Sequence, residues 1–196
     1  MATQKLPQAL SPSQEERLLV FLKGQNFRDY VLVKMCLSTG LRTSEVLGLN
    51  VGDVYAFGSA HTMLEVRSAI AHQGSVRTLP LIEEVQSILR DFIAWKEAQG
   101  EPLDFYSPLF LTKRDHKRLA PRDFQRLMKS ITKQVLSEPF SPHSLRHTFA
   151  MKLSKKVNLE VVQQVLGHGH LRSTRIYEKI DHDDKLKKAF QMALER

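Results

Sequence analysis

Residues 141–177 read SPHSLRHTFAMKLSKKVNLEVVQQVLGHGHLRSTRIY and hold three separate groups of chemically active side chains. His143 and Arg146 lie three positions apart at the start of a helix-like run. His168 follows Arg146 by 22 positions in Leu-Gly-His, and Tyr177 follows His168 by 9. A tyrosine supplies an oxygen nucleophile for a covalent intermediate. Cationic and imidazole groups offset the charge that develops on phosphate oxygens, so the set suits in-line attack on a phosphodiester.

An earlier box at residues 39–45 reads Thr-Gly-Leu-Arg-Thr-Ser-Glu and adds Arg42 and Glu45. Together with the three groups above, it resembles the signature of the tyrosine recombinases, the phage integrase family. Any one box alone is weak evidence, but four boxes in this order and at these intervals are specific. The resemblance extends over roughly residues 11–180.

The resemblance implies a transesterification in which Tyr177 attacks a DNA phosphodiester, leaving a 3′-phosphotyrosyl bond and a free 5′-hydroxyl. Arg42 and Arg146 would form a guanidinium clamp, because arginine matches phosphate geometry and stays charged. His143 would assist removal of the tyrosine proton or bind the phosphate, and His168 would donate to a non-bridging oxygen. The phosphotyrosyl link conserves bond energy, so neither ATP nor a metal cofactor is expected. Family members recombine DNA as four protomers on two duplexes.

Glu45 has two interpretations. It lies three residues after Arg42, close enough on a helix to brace a neighbouring site side chain. It is equally an ordinary first-turn acid that suits the helix dipole.

His72 stands where the family usually has a lysine, which is thought to protonate the departing 5′-oxygen. Residues 77–81, Arg-Thr-Leu-Pro-Leu, resemble the Arg-x-Val-Pro-Leu exit strand that follows that lysine. No lysine occurs between Lys34 and Lys96. Three alternatives follow: His72 is the acid itself, a distant lysine such as Lys113 or Lys117 reaches in, or the chain is catalytically weakened or serves only to bind DNA.

The composition favours an anionic partner. The chain has 196 residues, 42% of them hydrophobic, with a net charge of +8. Such a basic balance makes double-stranded DNA the first candidate. Without a signal peptide or an apolar run near the ~18 residues that span a membrane, we expect a cytoplasmic protein. The single cysteine, Cys36, lies in an apolar run and reads as a core thiol.

The densest charge lies in residues 111–133. Such a run is usually a solvated face, but neighbouring phosphate chemistry favours contacts to the DNA backbone. The candidate DNA-binding residues are Lys113, Arg114, Lys117, Arg118, Arg122, Arg126 and Lys129.

The periodicity predicts a mainly helical fold with a small three-stranded antiparallel sheet. The resemblance implies that this is the integrase catalytic fold. Short alternating runs predict strands near 54–57, 63–68 and 76–81. Helices are predicted near 12–24, 28–37, 42–47, 82–99, 121–133, 144–155 and 159–166.

We expect residues 1–10 to form a flexible arm, 11–180 the catalytic domain and 181–196 a C-terminal helix. That helix either packs onto its own domain or docks onto a neighbouring protomer. Family members commonly carry an N-terminal DNA-clamping domain, and we expect none within this chain. It reads either as a short recombinase or as an isolated catalytic domain.

Other functions compete with site-specific recombination. His143 and His147 have zinc-binding spacing, but Ser144 replaces the glutamate of the metalloprotease motif and Arg146 would repel a cation. We therefore predict no metal site. A DNA-binding regulator with weakened catalysis and a type IB topoisomerase stay open as alternatives.

Overall fold

A computed structural model describes residues 8–71, 74–167, 188 and 190–192 and confirms the mainly helical fold with small antiparallel sheets. The helices are α1 (Pro12–Gln25), α2 (Phe27–Thr39), α3 (Thr43–Gly48), α4 (Glu83–Ala98), α5 (Pro121–Leu136), α6 (Pro142–Ser154) and α7 (Leu159–Leu166). The strands are β1 (Tyr55–Ala56), β2 (Ser59–Ala60), β3 (Met63–Val66) and β4 (Arg77–Pro80).

Local capping sets the ends of the first two helices. The Ser11 hydroxyl accepts a hydrogen bond from the Gln14 amide at 3.3 Å, and the Gln14 side chain accepts one from the Ser11 amide at 2.8 Å. This reciprocal pair is a capping box. The helix continues through Gly24, where we expected it to stop, and ends at Gln25. Gly40 ends α2 in the left-handed region, at φ 64°, as is common for a glycine that follows a helix.

Helix α2 is the central element of the fold. Eleven of its 13 residues are buried, because α1, α4 and α6 all pack against it. A helix that is covered on every side needs apolar residues around its whole circumference. Cys36 lies within it, and burial raises the pKa of its thiol to about 12, as befits a core residue.

The strands form two separate ladders instead of one three-stranded sheet. The β1–β2 pair is antiparallel, and β3 pairs antiparallel with β4 from Met63 opposite Pro80 to Val66 opposite Arg77. Residues 54–57 do not continue as a strand because the chain reverses at Phe57 and Gly58. Both have positive φ, 51° and 79° respectively, as in a tight hairpin turn. Two-residue strands are too short to show an alternating pattern in the sequence.

Both ends of the described chain pack against α6. The Leu10 amide, which we expected in the flexible arm, donates to the Thr148 hydroxyl at 2.9 Å, and Leu10 is buried. Phe190 is buried, with its ring centroid 5.2 Å from that of Phe149 in the same chain. At Phe190, therefore, the C-terminal segment contacts its own domain. No helix in the described part of the chain has the length and apolar character to cross a bilayer.

Candidate active site

Arg42 lies at the N-cap of α3, directly after the turn that ends α2. Phe149 packs directly against this turn: a Cβ added at Gly40 would lie 2.3 Å from a carbon of its ring. The Arg42 amide donates to Glu45 at 2.8 Å, and its guanidinium donates to the same carboxylate at 3.2 Å. The other end of the guanidinium donates to the carbonyl of Gly167 at 3.0 Å.

Arg146 approaches the same place from α6. Its guanidinium is buried and donates to the carbonyls of Gly40 and Leu166, both at 2.6 Å. Burial, reinforced by the positive charge of Arg42, lowers the pKa of Arg146 to about 10. Arg146 therefore remains cationic at neutral pH. The loop after α2 and the end of α7 hold it from two sides.

Glu45 is fully buried between two arginines. One carboxylate oxygen accepts from the Arg42 guanidinium and from Arg77 at 2.9 Å, and the other accepts from the Arg42 amide and from Arg77 at 2.8 Å. Burial by itself would raise the pKa of Glu45, but these hydrogen bonds and positive charges lower it to about 2. The carboxylate is thus ionised and fully engaged, which is the geometry of a bracing residue.

Arg77 was not among the predicted site residues. It is the first residue of β4, only 7% of its side chain is exposed, and its guanidinium binds Glu45 through both terminal nitrogens. Its Nε donates to the carbonyl of Val165 at 2.7 Å. The motif at residues 77–81 contains this arginine, but that motif indicated only a strand and the position of His72.

The end of α7 is the meeting point of these side chains. The last carbonyls of a helix lack partners within the helix. Here three consecutive carbonyls, of Val165, Leu166 and Gly167, accept from Arg77, Arg146 and Arg42 respectively. Gly167 ends the helix at φ 61°. Three guanidinium groups around one carboxylate leave an excess of positive charge, which suits a phosphate anion.

The histidines of the α6 motif differ in exposure. His143 is exposed in the first turn of α6, one turn before Arg146, and His147 is half-buried. Within the described residues, no group of three or more His, Cys, Asp or Glu side chains is arranged to hold a metal ion. The remaining predicted site residues, His72, His168 and Tyr177, lie outside the described part of the chain.

The seven candidate DNA-binding residues all belong to exposed positions in the 112–118 loop or on α5. Two of them also bind within the protein. Arg118 donates to the carbonyls of Leu47 and Leu49, both at 2.8 Å, so it also holds the end of α3. Arg126 pairs with Asp123 one turn away on α5.

The family model described as phage integrase family matches residues 8–183, which is most of the chain. The chain belongs to this family. The matched range includes Arg42, Glu45, Arg146 and Tyr177.

Curated relatives within the family are longer than this chain. The tyrosine recombinase XerC of Roseiflexus castenholzii is 33% identical over 190 residues, which cover 91% of this chain and 57% of the relative. The tyrosine recombinase XerD of Chlamydia pneumoniae is 30% identical over 193 residues, which cover 94% of this chain and 61% of the relative. The chain therefore spans about three-fifths of the length of these relatives.

Solved structures of integrase-family proteins have the same fold. The crystal structure of XerA recombinase superposes with a TM-score of 0.70 at 25% identity and covers 99% of this chain and 68% of its own. A Tn1549 transposon integrase, solved in complex with circular intermediate DNA, has a TM-score of 0.68 at 24% identity. The match covers 94% of this chain and 67% of the integrase chain.

Proposed function

We propose that this chain carries the catalytic centre of a site-specific DNA recombinase, which cleaves and rejoins DNA through a 3′-phosphotyrosyl intermediate. The observation that carries the proposal is the convergence of Arg42 and Arg146. They come from distant parts of the sequence, and both donate to the end of α7, one residue apart. The two accepting carbonyls belong to Leu166 and Gly167, which directly precede His168 in the sequence.

The reaction requires Tyr177 as nucleophile. Its oxygen forms a bond to phosphorus while the bond from phosphorus to the 5′-oxygen breaks, and that oxygen takes up a proton. Rejoining runs the same step in reverse, from the same or a partner duplex, so the bond energy is conserved. The two arginines offset charge on the non-bridging oxygens in the transition state. His143 assists removal of the Tyr177 proton or binds the phosphate, and His168 donates to a non-bridging oxygen.

Double-stranded DNA is the proposed substrate. Support comes from the net charge of +8 and from the exposed basic residues of the 112–118 loop and α5. A tetramer on two duplexes, in the cytoplasm, is the proposed working form. The phosphotyrosyl bond would conserve the energy of the cleaved phosphodiester bond for rejoining, so the proposal includes no cofactor.

The proposal is tested by incubating the protein with the DNA that flanks its own gene and assaying for covalent adducts. We expect adducts with the parent and none with Tyr177→Phe, while DNA binding survives, because only one hydroxyl is lost. Adducts that persist in Tyr177→Phe would assign the nucleophile to another residue. Recombinant joints among the products would separate a recombinase from a topoisomerase, which yields relaxed circles.

A further inference from the structure

Arg77 is the part of the site that the proposed chemistry leaves without a role. Only 7% of its side chain is exposed, so it is shielded from a DNA substrate. Yet it makes three kinds of contact. It binds both oxygens of Glu45, it donates to the carbonyl of Val165, and it reaches back to the carbonyl of Ser75 at 3.4 Å.

These contacts join three elements. Glu45 belongs to α3, Val165 to α7, and Ser75 to the connection between β3 and β4. Because Glu45 also binds the amide and guanidinium of Arg42, the position of Arg42 depends on a carboxylate that Arg77 holds. Because Val165 precedes the two carbonyls that bind Arg146 and Arg42, Arg77 also fixes the surface on which both rest.

We propose that Arg77 is a positioning residue for the cleavage step, holding Arg42 through Glu45 and, at the same time, the end of α7 from which the chain continues to His168 and Tyr177. This inference rests on the proposed function. The planar fork of arginine suits the role, since it binds a carboxylate through two nitrogens and still has a third donor for a carbonyl. Lysine cannot reproduce all of these contacts.

Arg28 provides a matched control. Its side chain is 9% exposed, it binds the carboxylate of Asp29 at 2.6 Å, and it donates to the carbonyl of Leu111, also at 2.6 Å. It therefore resembles Arg77 in burial and bonding but contacts none of the site residues described above. Arg28→Gln therefore measures the effect of losing a buried, ion-paired arginine that does not contact the site.

The first measurement is the single-turnover rate of adduct formation per folded molecule, together with DNA affinity. We expect Arg77→Gln to cleave about a hundredfold more slowly, since a small misplacement of a catalytic group has that effect, and DNA affinity to be unchanged. Arg77→Lys keeps a charge beside Glu45 and secures a folded variant, and we expect an intermediate rate. Arg28→Gln should cleave at the parent rate. An equal loss in Arg77→Gln and Arg28→Gln, or none in either, would overturn the proposal.

The second measurement is the pH profile of the cleavage rate. Among the described residues, the charged groups that face Glu45 are Arg42 on its own element, Arg77 on β4 and Arg146 on α6. Removing the Arg77 hydrogen bonds raises the pKa of Glu45, so the acid limb of Arg77→Gln should move to higher pH. A purely structural arginine would leave the limb in place, and an unmoved limb counts against positioning.

The third measurement does not depend on activity. Amide hydrogen exchange over residues 161–167 should rise in Arg77→Gln and stay at the parent level in Arg28→Gln, because only the first releases the end of α7. A parent that forms no adduct would refute the proposed function, while this exchange result would still decide whether Arg77 holds the helix. Unchanged exchange would overturn the positioning role.

Discussion

At the residue scale, the buried carboxylate of Glu45 makes the protein less stable at low pH. Its pKa lies at about 2 in the folded chain, against an ordinary value of 4.5. A lowered folded pKa contributes stability that is fully present above the ordinary value and is lost as pH falls towards about 2. We expect a loss of about 3 kcal/mol in the free energy of unfolding across that window.

Urea unfolding at a series of pH values measures this dependence. Glu45→Gln should flatten the curve between pH 4.5 and 2, whereas Glu97→Gln, at an exposed position of α4, should leave it as in the parent. Parallel curves for the parent and Glu45→Gln would show that Glu45 is not the group responsible.

Also at the residue scale, His72 is predicted to protonate the departing 5′-oxygen. Imidazolium has an unperturbed pKa near ~6.5, so cleavage should fall as pH rises above the His72 value. His72→Lys should remain active and shift that fall to higher pH. In a substrate with a 5′-bridging sulfur, the sulfur departs without needing a proton, so this substrate should restore cleavage by His72→Ala. If His72→Ala cuts the ordinary substrate as fast as the parent, the acid is another group.

At the element scale, the end of α7 depends on a glycine. Gly167 has φ 61°, and a Cβ there would lie 3.0 Å from Nη1 of Arg77. Gly100 has φ 68° with nothing within 4 Å of an added Cβ, so it isolates the cost of the backbone conformation. We expect Gly100→Ala to destabilise the fold by about 1 kcal/mol. Gly167→Ala should cost more and also slow cleavage, because it pushes against Arg77.

Chemical unfolding and adduct formation, measured on both variants, test this expectation. Equal destabilisation by the two substitutions, with parent-like cleavage in Gly167→Ala, would show that Arg77 yields without consequence for the site.

At the scale of the whole molecule, the exposed basic residues predict a salt-dependent DNA interface. Each phosphate contact that is lost should reduce the slope of log K against log salt by about 0.9. We expect Lys113→Ala, Arg122→Ala and Lys129→Ala to lower the slope in this way, one contact each. Arg90→Ala removes an exposed arginine of α4 that pairs with Glu83, and it should leave the slope unchanged. Equal slopes for all four variants would place the interface elsewhere.

The sequence by itself predicted the chemistry and placed the helix ends to within a few residues. The residue types in the boxes, and the order of the boxes along the chain, predicted the chemistry without a structure. Helix ends were legible because capping is local: Ser11 and Gln14 are three residues apart, and Gly40 and Gly167 follow their helices directly. Such interactions need no knowledge of the rest of the chain.

Only the tertiary structure decided which groups share a site. Arg77 contacts residues 32 and 88 positions away, and sequence separation carries no information about such contacts. Packing of α3, β4 and α6 around the end of α7 brings the three arginines onto consecutive carbonyls. A buried helix end requires such donors because its last carbonyls have no partners of their own. The tertiary structure likewise decided the division of the strands into two ladders. The turn that separates them joins β1 and β2, and strands of two residues are too short to show an alternating sequence pattern.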